Sequence, residues 1–149
     1  MDDNTYKEKK YVDYMKNFND VMAESMVIAL ASCANGVPNV RLVNFIYEDN
    51  RVYIATGRSA KLAEFKQNNK AAFTTIPQTA DGTKHVRVKT AIAQKSELTV
   101  ADIRVRFVAK LPFFEMIFAQ MGHEMEIWEI CFNEADVIVD MQNEGKIKL

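Results

Sequence analysis

The chain has 149 residues, 48% of them hydrophobic and 26% charged, with only 5 Gly and 3 Pro, which excludes a disordered tract, a repeat fibre or a chain too short to bury a core. Its 19 basic and 20 acidic side chains leave a net charge of -1, so no overall attraction to nucleic acid or to an anionic membrane is expected, and any anion site must be local. No apolar run approaches the roughly 20 residues of a membrane span, and the acidic start Met1-Asp2-Asp3-Asn4 has no apolar signal core. The expectation is one cytoplasmic domain over residues 1–149.

Within residues 6–22, Tyr11, Val12, Met15, Phe18, Val21 and Met22 recur at three- and four-residue intervals, predicting an amphipathic helix packed on a sheet. The apolar run 26–33 has strand length and is closed by Ala34-Asn35-Gly36, a hairpin signal because Asn and Gly tolerate positive φ. A second strand over about 38–47 turns at Glu48-Asp49-Asn50 and returns over 51–56, giving a three-stranded antiparallel meander that Gly57 ends. Ser59 suits the N-cap of a helix over 60–68, with Leu62 and Phe65 facing inward. Residues 70–76 read as another strand, stopped by Pro77.

After the polar loop 78–83, residues 84–92 alternate, with Val86, Val88 and Ile92 on one face and a basic opposite face. Thr99 can cap a helix through Ala109, and Pro112 can open a second one ending near Gly122. Two last strands, 127–132 and 136–141, flank a turn at Asn133 and Glu134. Short antiparallel strands with a few helices predict a mainly β fold, a closed or partly closed barrel. Cys33 and Cys131 lie in apolar runs and suit buried reduced thiols. His85 and His123 are far apart and lack nearby ligand spacing, so no metal site is expected. The aromatic and Met-rich stretch 107–121 suits core or dimer packing, and Trp128 a buried indole in a strand.

The informative segment is 40–61. If the hairpin turn centres between Asp49 and Asn50, Tyr47 faces Val52, Val43 faces Thr56 and Arg41 lies opposite Arg58. Arg41 then stands beside the helix start that holds Ser59 and Lys61, where unpaired N–H groups and the dipole favour an anion. Cations in a first helical turn oppose the dipole, so a bound phosphate accounts for Arg58 and Lys61 better than helix stability does. Arg41 would offer it a bidentate fork and Ser59 a hydroxyl. On spacing alone, the alternative that Arg41, Arg58 and Lys61 are solvated surface charges stands beside this reading.

This segment resembles the FMN-binding core of the pyridoxamine-phosphate-oxidase-like split-barrel proteins, in which a strand carrying Arg, a strand ending in Thr and a Ser-x-Lys at a helix start follow one another. Here these are Arg41, Thr56, Ser59 and Lys61, and the order of elements agrees over about residues 11–92. The resemblance implies a split barrel with flanking helices, a homodimer with FMN at its interface, and a phosphate held by Arg41, Ser59 and Lys61. It also implies that strand residues Leu42, Val43 and Asn44, with Thr56, approach the flavin ring. His85, in His85-Val86-Arg87, stands where the oxidases carry Gln on a strand that reaches the flavin from the partner subunit.

The family's true oxidases finish with an Arg- and His-containing substrate segment, which residues 140–149 do not reproduce, so vitamin B6 oxidation is not the expectation. An FMN-dependent oxidoreductase acting on an unidentified small molecule is, with NAD(P)H as a candidate electron donor and no protein residue required as catalytic acid or base. The alternatives are a non-catalytic flavin carrier or sensor, and a split barrel that takes haem or a deazaflavin.

Overall fold

The computed structural model describes residues 11–57, 62–78 and 80–149. Helix α1 (Tyr14–Glu24) starts later than its sequence pattern suggests, because Asp13 caps it by accepting the Lys16 N–H at 3.0 Å. Phe18, Val21 and Met22 are buried as expected, whereas Tyr11 lies before the helix and is exposed.

Strands β1 (Val27–Ala34) and β2 (Val37–Asn44) are joined by Asn35 and Gly36, with φ of 54° and 75°. Strands β3 (Ile46–Glu48) and β4 (Arg51–Gly57) are joined by Asp49 and Asn50, at 53° and 61°. Both are two-residue hairpins whose positive φ matches the right-handed twist of the strands. The predicted pairing of Tyr47 with Val52 forms.

The continuous strand predicted over 38–47 does not form. Phe45 and Ile46 are both buried, and consecutive residues of one straight strand cannot both face inward, so the chain bends at Phe45. As a result β2 pairs with β1, placing Arg41 opposite Leu30 and Val43 opposite Ile28. β4 pairs instead with β7 (Met125–Cys131), placing Thr56 opposite Glu126. The expected pairing of Val43 with Thr56 is absent, and Arg58, expected opposite Arg41, lies outside the described residues.

With β5 (Lys70–Thr75) and β6 (His85–Lys95), the sheet runs β2-β1-β5-β6-β7-β4-β3. Its two ends, β2 and β3, are the two halves of the chain bent at Phe45, so the sheet curls back on itself as a barrel with a seam. The first part of β6 also pairs with β8 (Glu134–Ile138), and β8 with β9 (Glu144–Lys148). Strand β9 was not predicted. Ile147 is its buried residue, too little pattern to read.

One face of β6 departs from the predicted alternation. Phe73 pairs with Val88 but Ala71 with Ala91, so β6 carries one extra residue, a bulge that exchanges its faces. Val86 and Val88 are buried, then Ala91 and Ala93, while Ile92 is 40% exposed.

Helix α2 (Glu64–Gln67) is shorter than the predicted 60–68, and its proposed cap Ser59 lies outside the described residues. Leu62 and Phe65 are buried. Helix α3 (Val100–Lys110) begins with a reciprocal capping box between Thr99 and Asp102, and α4 (Phe114–Met121) follows Pro112.

Two packed clusters result. One fills the barrel with Phe18, Leu30, Phe45, Ile54, Phe65 and Trp128. The other seats Phe107, Leu111, Phe114 and Phe118 against Ile46 and Ile127, so the aromatic stretch is largely core. Cys33 departs from its expected burial: Ser32 faces inward, so the strand's period of two turns Cys33 to solvent. Cys131 is half-buried, and burial is the first cause raising its thiol pKa. Among the described residues, no helix is long and apolar enough to cross a membrane.

Candidate functional site

The bend at Phe45 opens a seam between β2 and β4. Beyond the Ile46–Tyr53 pair, β4 has no strand partner on this side among the described residues, and β2 has none beyond β1. Two strand edges therefore face each other across a gap, each presenting backbone N–H and C=O groups that no strand uses. The gap is a cavity of about 420 Å³, at the small end of the range for ligand pockets.

Arg41, Leu42, Val43, Asn44 and Thr56, five of the residues singled out from the sequence, line this one cavity. They converge by a route other than the predicted hairpin, since their strands approach without pairing. The sequence reading missed Asn39, Ile54, Ala55, Leu62 and Phe114, which complete the described wall. Ile54 was accessible in principle, two residues before Thr56 on the same strand face. Phe114 comes from α4, which no local pattern connects to β2.

Among the described residues, Arg41 is the charged one on this wall. It stands opposite the buried Leu30 on β2, and its side chain is 13% exposed. Nη2 donates to Ser32 Oγ at 3.3 Å and pairs with the Glu64 carboxylate. The guanidinium carbon lies 5.8 Å from the centre of the Phe65 ring, within cation–π range. Nη1 is buried and has no hydrogen-bond partner among the described residues. Burial lowers the pKa of Arg41, yet a guanidinium stays charged. A buried N–H donor aimed at nothing carries a cost of about 1–3 kcal/mol, which an oxyanion in the cavity would relieve.

The other polar groups are occupied locally. Asn44 Nδ2 donates to the Met26 carbonyl at 3.2 Å and Thr56 Oγ1 to the Gly57 carbonyl at 3.3 Å. Arg58, Ser59 and Lys61, the remaining expected phosphate contacts, lie outside the described residues.

His85 stands apart from this cavity within one chain. It begins β6 opposite Ile138, and its Nδ1 lies 2.5 Å from the Thr83 carbonyl. His123 is exposed beside Glu124. Trp128 is buried in the barrel, donating to Glu126 at 3.3 Å and packing on Phe65. Among the described residues, no three His, Cys, Asp or Glu side chains gather as a metal site.

The family described as pyridoxamine 5'-phosphate oxidase-like matches residues 21–144 of this chain. No curated protein matches it. Among solved structures, a haem-binding protein from Mycobacterium smegmatis superposes with a TM-score of 0.76 at 10% identity, covering 93% of this chain. The chain spans 59% of that protein's length. An FAD-binding protein from Mesorhizobium loti gives 0.64 at 12% identity, with 91% of this chain and 93% of that one covered. A NimC/NimA family protein from Clostridium acetobutylicum gives 0.70 at 15% identity, with coverages of 91% and 92%. At these identities the likeness is one of fold: a mainly antiparallel split barrel with flanking helices.

Proposed function

The chain belongs to the pyridoxamine 5'-phosphate oxidase-like family, and from that premise we propose that it binds FMN in the seam between β2 and β4 and serves as an FMN-dependent oxidoreductase on a small molecule. The observation that carries this reading is the buried Nη1 of Arg41, which has no hydrogen-bond partner among the described residues, on a cavity wall that also presents Val43, Ile54, Ala55, Leu62 and Phe114. Such a wall suits a flat heteroaromatic ring, and the guanidinium suits its phosphate. Arg41 would hold the phosphate together with Ser59, Lys61 and Arg58. The open backbone edges of Leu42, Val43 and Asn44, and Thr56 opposite, would hydrogen-bond the ring and fix its plane.

Bound FMN would supply the hydride chemistry, with the protein contributing anchoring, orientation and exclusion of water. The expected assembly is a homodimer in which the partner completes the cavity, His85 reaching the ring from the other subunit. In support, Val37, Val40 and Leu42 leave an apolar stretch of β2 exposed at 65%, 64% and 68%, a surface that suits a second copy.

Haem is the second reading, favoured by the likeness to the haem-binding protein. Against it, the described wall contains no His, Cys, Met or Tyr, the side chains that ligate haem iron. The test is the chromophore. Purified protein should bind added FMN and quench its fluorescence, and steady NAD(P)H oxidation with a small acceptor should distinguish an enzyme from a carrier. Protein that ignores FMN but takes up haem would overturn the flavin reading.

A further inference from the structure

Resting on the flavin reading, we propose that Glu64 is a specificity-determining residue of this site: its carboxylate occupies Arg41 when no ligand is bound and must give way to the ligand's phosphate. Arg41 has two anchors besides the Phe65 ring, the Ser32 hydroxyl on β1 and the Glu64 carboxylate on α2. The hydroxyl is neutral, so Glu64 is the sole described counter-charge to a guanidinium that is 13% exposed. A phosphate on Nη1 and the carboxylate on Nη2 would share one guanidinium and place like charges together.

The local packing says which of the two moves. Phe65, the next residue, is buried in the barrel and packs on Trp128 with ring centres 6.3 Å apart, so the backbone of α2 is pinned. The Glu64 side chain is 18% exposed and stands at the boundary with solvent. The oxygen that meets Arg41 is buried, so exchange requires the Glu64 side chain to swing that oxygen out toward solvent while Phe65 holds the helix. Every anionic ligand must compete with this built-in anion, and ligands with a dianionic phosphate compete best. Glu64 thus sets a threshold among anionic ligands, which a singly charged group passes less readily than a phosphate dianion, whereas an uncharged molecule meets no competition for Arg41.

The test compares FMN with riboflavin, which has the same ring and no phosphate, by fluorescence titration of the full chain and of Glu64→Gln, with Glu64→Ala as the second variant. Removing the carboxylate is expected to tighten FMN about five- to tenfold, the value of a partly buried ion pair, while riboflavin affinity stays unchanged. In an Arg41→Ala background the gain should vanish. Unchanged or weakened FMN binding in both Glu64 variants, or an equal gain for riboflavin, would overturn the role of Glu64 while leaving the flavin reading standing. Failure of the wild-type chain and both variants to bind FMN would overturn the flavin reading and this inference with it.

Discussion

Arg41 on β2 and Thr56 on β4 line the same cavity although their strands share no hydrogen-bonded pair. That relationship depends on Phe45, which is fully buried where the chain turns from one end of the sheet to the other. A straight hairpin would zip β2 onto β4 and close the seam.

Phe45→Ala tests this dependence. Truncating a fully buried Phe removes its packing against the barrel and leaves a cavity, so a loss of roughly 3–5 kcal/mol is expected from urea unfolding. The variant should also lose flavin affinity, because the seam is defined by the bend. Wild-type stability would show that Phe45 does not hold the corner.

The last strand offers a steric test. A Cβ built on Gly145 meets the Tyr14 ring at 2.7–2.8 Å, so β9 lies directly against α1. Gly145→Ala should destabilise by roughly 1–3 kcal/mol through overpacking, and Tyr14→Ala in the same chain should recover part of it. Measured by thermal unfolding, a neutral Gly145→Ala would contradict the docking of β9 on α1.

Lys110 gives the pH dependence. Its ammonium donates to the Met22 carbonyl at 3.0 Å and lies 4.0 Å from the centre of the Phe45 ring, and burial lowers its pKa from 10.5 to about 8. Between those values the unfolded chain binds more protons at this residue than the folded one, so its effect on stability becomes more favourable as pH rises through the window. The difference in unfolding free energy between wild type and Lys110→Met, followed from below pH 8 to pH 10.5, isolates this residue from the other groups that titrate there. Wild type should gain on the variant with rising pH. A flat difference would mean the ammonium is solvated.

Much of the fold was legible where local chemistry decides it. Asn35-Gly36 and Asp49-Asn50 adopt the positive φ their turns need, Thr99 caps α3, and Val86 and Val88 face the core. What escaped the sequence depends on distant partners. The bend at Phe45 arises because two consecutive residues each have a core to fill, and the reversal at Ile92 arises from a bulge opposite β5. The site followed the same division. Spacing singled out Arg41 and the resemblance added Leu42, Val43, Asn44 and Thr56, and these five line one cavity, whereas Glu64 as the partner of Arg41 and Phe114 on the cavity wall required the tertiary structure.

Recognition of the ligand's phosphate by the Arg41 guanidinium is tested by the FMN and riboflavin affinities of wild type and Arg41→Ala. The variant is expected to lose roughly ten- to a hundredfold in FMN affinity, in line with a charge-assisted contact of about 1.5–3 kcal/mol, and to bind riboflavin as wild type does. Equal FMN affinity in the two proteins, or an equal loss for both ligands, would contradict it.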